Sequence, residues 1–308
     1  MVDYVKMPDE EEDNRPKSRK PRFSWGKAIL IAIGVFVFLS LVSSVSYMIT
    51  PKLAVVPISG MIMTESDTSL FTGTTQSSRD IAEKLYELKE DNSVEAILLD
   101  IDSPGGSAVA SEEIAKAVEE VSEVKPVYAL INDVGASGGF WIAVSADKVY
   151  ASPMSMVGSI GATSATLSFE GFIDDFNITY RDLTSAPYKD IGSPFREMEE
   201  DEKEIIQGLL DELHQNFINH VKENRNLTYE ELEPYAQGQV YLGTTAKEGK
   251  LIDELGYYPD VIEELKGDRD LLVVRHQTST PSLFNIGGIS SNNQYTPIAS
   301  NTPMWFLS

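Results

Sequence analysis

The residue with the clearest potential for chemistry is a serine in a glycine-rich turn. Residues 131–144 read I-N-D-V-G-A-S-G-G-F-W-I-A-V, and Ser137 lies at the tip of the turn in this segment. A serine on a tight turn that opens a helix has an exposed Oγ with free backbone N–H groups beside it. This arrangement suits a serine nucleophile. An ordinary small-residue turn has the same composition, however, and the segment does not read G-x-S-x-G.

A nucleophilic serine needs a base, and the histidines are poorly placed to supply one. None of them lies in a small-residue loop: His214, His220 and His276. His214 and His220 are six residues apart in a predicted helix, which is not the i, i+4 spacing of a metal-binding pair, and both are predicted to face solvent. No H-E-x-x-H occurs, so metal catalysis fits poorly. A Ser-His-Asp triad is defined by geometry, so sequence position alone does not exclude one.

Lysine is the alternative base. Burial disfavours the charged ammonium and lowers the pKa of a lysine from its usual value of about 10.4. Lys189 lies in a loop behind Pro187 and Tyr188, whereas most other lysines lie in polar helical stretches or charged runs. From these residues alone, a solvated Lys189 paired with Asp190 is the favoured interpretation.

A nucleophile also needs hydrogen-bond donors for the oxyanion. Residues 102–106 read D-S-P-G-G and follow the pattern of a buried strand. Glycines present their N–H groups without side-chain obstruction, so Gly106 and Gly138 are the candidate donors. A plain strand-to-helix turn is the alternative interpretation of this segment.

The elements that must position these residues alternate between strand and helix. Apolar runs predict strands at residues 53–58, 94–101, 127–131, 148–151, 178–183 and 271–275. Amphipathic spacing predicts helices at residues 77–89, 111–121, 197–223 and 229–236. This alternation predicts an α/β fold with a largely parallel sheet.

The N-terminal part of the chain predicts a single transmembrane helix. Residues 1–27 are polar and predicted to be disordered, and residues 28–49 are 22 positions without a charge. A helix of that length spans a bilayer core of about 30 Å, whereas the apolar region of a cleaved signal peptide is usually shorter. The basic residues before it predict a cytoplasmic N-terminus at the cell membrane. Residues 50–275 are then an extracytoplasmic domain, and residues 276–308 a flexible tail.

Charge and composition exclude other classes. Residues 1–50 carry seven Lys or Arg against six Asp or Glu, and the remainder carries 18 against 42, for a formal net charge of −23. Nucleic-acid binding requires basic surface, so this acidic body argues against it. The chain has no cysteine, which excludes disulfides and thiolate metal sites.

Taken together, these segments resemble the signal peptide peptidase A family of membrane-anchored serine proteases. The resemblance covers residues 53–274 together with the N-terminal anchor. D-S-P-G-G is similar to the family's oxyanion turn, A-S-G-G-F-W to its nucleophile turn, and G-S-I-G at residues 158–161 to a second motif. Y-K-D-I-G-S-P-F-R at residues 188–196 resembles the lysine motif, and residues 238–256 resemble the closing segment.

The resemblance implies a fold related to the Clp protease and crotonase superfamily, with a Ser-Lys dyad. It assigns Ser137 as nucleophile, Lys189 as general base and Ser159 as the hydroxyl that hydrogen-bonds the lysine. It assigns Gly106 and Gly138 as the oxyanion donors, and it implies no metal and no cofactor. The implied substrates are remnant signal peptides and other short apolar peptides at the membrane. The implied assembly is a homo-oligomer.

The sequence departs from the family pattern at a few positions. Ala186 and Pro187 precede Tyr188, where the family often has glycine two residues before the Tyr-Lys pair. Gln239 stands where arginine is common, and Lys250 where glycine is common. The first departure affects the conformation expected for the lysine loop.

Several alternatives remain open on the sequence. One alternative is an inactive membrane scaffold of the same fold. Another is a related protease that acts on one particular membrane protein. A crotonase-type acyl-CoA enzyme would lack a CoA supply outside the cytoplasm. The apolar C-terminal end, residues 304–307, either occupies a neighbour's cleft or is disordered. Asn177 and Asn226 fit the N-glycosylation pattern, which often arises by chance.

Overall fold

The computed structural model describes residues 25–65, 68–69, 73–276 and 296–297. The chain divides into two compact units, the first ending at Ile49 and the second beginning at Thr50. The first unit contains a single described helix, α1 (Trp25–Ile49).

A search of the described residues finds no helix with the length and hydropathy that a membrane crossing requires. The transmembrane assignment of residues 28–49 stays a prediction. Residues 1–24, most of the segment predicted to be disordered, lie outside the described residues, as does the predicted tail apart from His276 and residues 296–297.

The second unit alternates strands and helices, as predicted. Its strands are β1 (Lys52–Met63), β2 (Thr68–Ser69), β3 (Gly73–Ser77), β4 (Val94–Gly106), β5 (Val127–Ala136), β6 (Lys148–Ala151), β7 (Met156–Gly158), β8 (Val240–Leu242), β9 (Glu254–Leu255), β10 (Leu272–Arg275) and β11 (Thr296–Pro297). Its helices are α2 (Ser78–Glu90), α3 (Ala108–Ser122), α4 (Gly138–Val144), α5 (Glu170–Asp175), α6 (Glu200–Arg225), α7 (Tyr229–Leu232), α8 (Gly243–Glu248) and α9 (Tyr258–Lys266), with a 3₁₀ turn at Glu233–Tyr235.

The central strands form a parallel sheet, which confirms the predicted α/β class. Within the described residues the strand order is β11-β10-β1-β4-β5-β6-β9. All neighbours in this order are parallel except β10 and β11. Two short parallel strands extend the sheet at its carboxyl edge, where β3 pairs with the end of β1 and β7 with the end of β5. The antiparallel strand β8 pairs with β7.

The sheet is buried on both faces, as parallel sheets usually are. Successive side chains of a strand point to opposite faces. In β1, Leu53 and Val55 pack with α9, while Ala54 and Val56 belong to the larger core under α2, α3 and α4. The covered sheet is therefore a rigid platform for the turns that follow its strands.

Two strands extend beyond their predicted ends. β4 continues to Gly106, so D-S-P-G-G is part of the strand rather than a turn after it. β5 continues to Ala136, the residue before Ser137. Both extensions pair with neighbouring strands, which is a tertiary contact that residue type does not encode.

The strand predicted at residues 178–183 is wrong. The chain there has no regular secondary structure, and the side chains of Ile178 and Leu183 are exposed. No strand of the described residues pairs with this segment, and an apolar run forms a strand only when its backbone has a ladder to join. This segment belongs to an exposed stretch that leads into α6.

Helix α6 has strong end signals but only a partly buried face. Glu199 caps its N-terminus in a capping box with Glu202, and Asn226 ends it in a left-handed conformation. The predicted apolar stripe is buried only in its C-terminal half, around Phe217 and Val221. In the N-terminal half, Leu209 and its neighbours on the stripe, Ile205 and Leu213, are exposed.

His220 lies between α6 and α4, so its predicted solvent-facing position is wrong. Only 13% of its side chain is exposed. Its ring stacks on Trp141 with centroids 4.1 Å apart. Its Nε2 lies 3.0 Å from the Trp141 carbonyl oxygen and 3.1 Å from Ser145 Oγ. Desolvation lowers the pKa of His220, and it outweighs the opposing effects of the hydrogen bond to the Trp141 carbonyl and of the charge of Glu119.

This burial predicts a pH-dependent stability. As pH falls below about 6.5, the unfolded chain takes up a proton at His220 more readily than the folded chain, so the free energy of unfolding decreases. His220→Phe should reduce that decrease between pH 7 and 5, measured as the thermal midpoint at each pH. Some pH dependence of the same sign should remain in His220→Phe, because burial also lowers the pKa of His276, to about 4. His214→Phe, on the same helix, is the control, and equal slopes in wild type and His220→Phe would contradict the prediction.

Candidate active site

Ser137 has the backbone conformation of a residue held in place by its surroundings. It joins β5 to α4 with φ 50° and ψ −122°, and its side chain makes no capping bond to the helix. Such a conformation is unfavourable for a residue with a Cβ, and residues held in strained conformations cluster at functional sites. Ser137 is half-buried, and its hydroxyl makes no hydrogen bond to its own helix. The structure therefore places a constrained serine at the predicted turn.

The end of β4 lies against this turn with no room for side chains. A Cβ at Gly105, where φ is 97°, would lie 2.6 Å from the Gly138 nitrogen and 3.0 Å from Ser137 Cβ. A Cβ at Gly106 would lie 2.0 Å from the Ile62 carbonyl oxygen on β1. The two glycine segments predicted to supply oxyanion donors are thus adjacent in the fold. Because the first N–H groups of a helix have no intrahelical partner, Gly138 N–H is suited to donate.

Two buried serines shape these turns, and the sequence patterns predicted a role for neither of them. Ser103 Oγ donates to the Gly60 carbonyl at 2.6 Å and accepts from Gly105 N–H at 3.1 Å. Ser111 Oγ would lie only 2.1 Å from a Cβ at Gly138. Ser103 stands in the D-S-P-G-G motif, which was a signal for it. Nothing in the sequence indicated that Ser111, one helical turn into α3, faces Gly138.

Ser159 follows a residue that contacts the nucleophile turn directly. Ser137 N–H donates to the Gly158 carbonyl at 2.8 Å, and β5 and β7 pair at Ala136 and Gly158. Ser159 itself has φ 53° and is half-buried, and its N–H donates to the Gln239 carbonyl at 2.8 Å. Position 239 contributes its backbone here, so this contact does not depend on its departure from the family pattern. The structure brings the segments of Ser137 and Ser159 together.

The side chain of Lys189 makes no described hydrogen bond or ion pair with the Ser137 and Ser159 cluster. It is exposed, in a turn closed by its own N–H donating to the Ala186 carbonyl at 3.2 Å. Among the described residues, no hydrogen bond or ion pair joins Lys189 Nζ to Ser137 or Ser159. The predicted loop at residues 185–190 is present, and the assignment of Lys189 as base stays a prediction.

The fold and the turn at Ser137 together indicate a class of enzyme. A parallel α/β sheet with a constrained serine where a strand enters a helix is the arrangement of a serine hydrolase. The sequence model of peptidase family S49 matches residues 119–272, which is half of the 308-residue chain. The chain belongs to peptidase family S49. The parallel sheet fits the Clp-protease-like fold predicted for it.

Three relatives, each matched over more than half of this chain, carry protease names. A protein of Methanocaldococcus jannaschii named as a protease is 35% identical over 182 residues, which are 59% of this chain and 58% of the relative. A protein of Enterococcus faecium named for signal peptide peptidase SppA is 29% identical over 233 residues, 74% and 68% of the two chains. Protease 4 of Haemophilus influenzae is 31% identical over 249 residues, 80% and 39% of the two chains. These names confirm the family predicted from the motifs.

The close approach at Gly106 predicts a sharp effect of substitution. In Gly106→Ala the new methyl group meets a backbone carbonyl of the neighbouring strand, which must shift. We expect a loss of about 1–3 kcal/mol in the free energy of unfolding and slower labelling of Ser137 by a serine-reactive phosphonate. Gly208→Ala, in an open position of α6, is the matched control and should not destabilise the protein. Wild-type stability and labelling in Gly106→Ala would refute the tight approach.

Proposed function

We propose that this protein is a membrane-anchored serine endopeptidase that uses a Ser-Lys dyad, Ser137 and Lys189. The observation that carries the proposal is the conformation of Ser137, with φ 50° and ψ −122° at a strand-to-helix junction and no capping bond from its hydroxyl. The proposed substrates are remnant signal peptides and other short apolar peptides at the membrane. Family membership and the name of the Enterococcus faecium relative support this substrate class.

The proposed reaction is acyl transfer in two steps. Neutral Lys189 takes the proton of Ser137 Oγ as the oxygen attacks a peptide carbonyl. The N–H groups of Gly106 and Gly138 stabilise the oxyanion. Lys189 then protonates the leaving amine, and water, activated by the same lysine, hydrolyses the ester. Ser159 keeps the ammonium oriented between these steps.

Assembly into a homo-oligomer is part of the proposal. The stretch around Lys189 exposes apolar side chains that a monomer would rarely leave in water: Leu167, Phe172, Phe176, Ile178 and Leu183. The apolar side chains in the N-terminal half of α6, Ile205, Leu209 and Leu213, are exposed as well. A second copy that covers these side chains would remove water around Lys189, and desolvation favours the neutral amine that a base requires.

The N-terminal helix is proposed as a single-pass anchor in the cell membrane. The support is the uncharged run of 22 residues at 28–49 and the basic residues before it. Within α1, the side chains of Leu30 and Phe36 are 69% and 73% exposed. This topology places residues 1–27 in the cytoplasm and the peptidase body outside, next to peptides released from the membrane.

Removing either member of the dyad should abolish cleavage. In the full chain in detergent, we expect Ser137→Ala and Lys189→Ala to lower kcat on a fluorogenic apolar peptide by on the order of 10⁴-fold. Ser122→Ala removes a half-buried serine whose hydroxyl donates to the Glu119 carbonyl, and Lys203→Ala removes an exposed lysine; both should keep wild-type kcat.

The outcomes of this experiment separate the alternatives. Cleavage at the wild-type rate by either dyad variant would show that the dyad is wrong. A wild-type chain that neither cleaves peptides nor reacts with a serine-directed phosphonate would be an inactive scaffold. Cleavage of a single membrane protein, with no cleavage of short peptides, would identify the more specialised protease.

The proposed anchor predicts how the protein fractionates. The full chain should stay with membranes after alkaline carbonate extraction, and a chain lacking residues 1–49 should be released. A protease added outside intact cells should digest the body and leave an N-terminal tag intact. Digestion of the tag from outside, or release of the full chain by carbonate, would contradict the proposed topology.

A further inference from the structure

We propose that Arg196 is a positioning residue for Lys189: it fastens the lysine loop to the first turn of α6 and occupies the carboxylate next to the lysine. The inference rests on the proposed function, since it concerns the base of that reaction. Arg196 lies seven residues after Lys189, at the end of the Tyr188 to Arg196 motif, and the sequence motif assigned it no role.

The first contact joins Arg196 to the residue that follows Lys189. The Arg196 guanidinium donates to both oxygens of Asp190, with Nε to Oδ2 at 2.7 Å and Nη2 to Oδ1 at 3.0 Å. A two-point pair of this kind fixes the orientation of both planar groups, which a lysine at position 196 would not do. Asp190 is therefore engaged by Arg196, and not by the neighbouring Lys189.

The second contact joins the same guanidinium to α6. Arg196 Nη1 donates to Glu202 Oε2 at 2.7 Å, and Nη2 donates to Oε1 at 2.5 Å. Glu202 also accepts from Glu199 N–H at 2.9 Å in the capping box that begins the helix. One arginine thus connects the lysine loop with the capping box at the start of α6.

The residue before Lys189 is fastened to the same turn. Tyr188 Oη donates to Asp201 Oδ2 at 3.0 Å. Both chain neighbours of Lys189 are therefore held against the first turn of α6, one through Asp201 and the other through Arg196 and Glu202. The backbone of Lys189 is fixed between them while its own side chain extends free of the network.

The network is shielded although its surroundings are exposed. The side chains of Arg196, Asp190 and Glu202 are 26%, 14% and 4% exposed, in a stretch where most residues face water. The guanidinium holds the pKa of Asp190 and of Glu202 below the usual range, and Asp182 is a further carboxyl beside Asp190. A carboxylate that stays ionised next to a lysine favours the lysine's ammonium form unless another cation occupies it.

Two effects of losing Arg196 follow, and both are measurable. The lysine loop becomes free to move, and Asp190 becomes free to pair with Lys189. In the full chain in detergent, Arg196→Ala should lower kcat on the fluorogenic peptide by on the order of 10- to 100-fold, with a smaller change in KM. Arg196→Lys keeps the positive charge but loses the planar guanidinium, so its kcat should lie between those of the wild type and Arg196→Ala. Lys203→Ala, which removes the exposed pair of Lys203 with Glu200 on the same turn, should stay within about twofold of wild type.

The pH profile separates positioning from a general loss of structure. A lysine base acts only as the neutral amine, so kcat of the wild-type protein should rise with pH. In Arg196→Ala this rise should move to more alkaline pH, because Asp190 is then free to pair with the ammonium form of the lysine. Adding Asp190→Asn in the same chain should move the rise back. Hydrogen exchange should increase at residues 186–193 and stay unchanged in β4, β5 and α4.

Three results would overturn the inference. One is a kcat of Arg196→Ala equal to that of Lys203→Ala. Another is a lower kcat with an unmoved pH profile and a lower thermal midpoint, which would mean a folding role alone. The third is no effect of Asp190→Asn on the shifted profile. The proposed function fails separately, if Lys189→Ala keeps wild-type activity with Arg196 in place.

Discussion

The site depends on one constraint, the approach of the β4 and β5 backbones where these parallel strands end. At Gly105 any side chain would collide with the Gly138 nitrogen, and at Gly139 a Cβ would lie 2.6 Å from the Ser103 carbonyl oxygen. Only glycine allows this separation. Because both strands are buried in the sheet, the approach is fixed by the core, and it holds Ser137 in a conformation that it would not adopt alone.

The molecule therefore combines a rigid part and an exposed part. The turns of Ser137 and Ser159 follow strands that are paired along their length, so packing determines their geometry. Lys189 follows a stretch without strand partners and precedes the exposed half of α6. Its local geometry is set by charged groups, in which Arg196 is central. Apolar packing positions the proposed nucleophile, and ion pairs position the proposed base.

Sequence patterns predicted what local chemistry and periodicity determine. The patterns correctly predict the strands at residues 94–101 and 127–131. They also predict the helices that follow these strands and the glycine turn at Ser137. The patterns did not predict that β4 extends to Gly106, since that extension depends on pairing with β1. The helical pattern predicts a solvent-facing His220, whereas its burial depends on a contact with Trp141 across a helix interface. The strand predicted at residues 178–183 had the right composition but no neighbouring strand to pair with. In each case the missing information was a contact between segments distant in the chain.

The acidic residues around Lys189 show why the proposed mechanism requires desolvation of this lysine. Residues 186–203 carry six Asp or Glu, and their basic residues are Lys189, Arg196 and Lys203. A base must be the neutral amine, and carboxylates close to a lysine in general favour its ammonium form. Arg196 neutralises part of this charge but cannot remove the water around an exposed lysine. Desolvation must therefore come from whatever covers the apolar side chains nearby, either a second copy or an apolar peptide. On this reasoning the base becomes competent only when that surface is covered, which would couple peptide cleavage to assembly or to substrate binding.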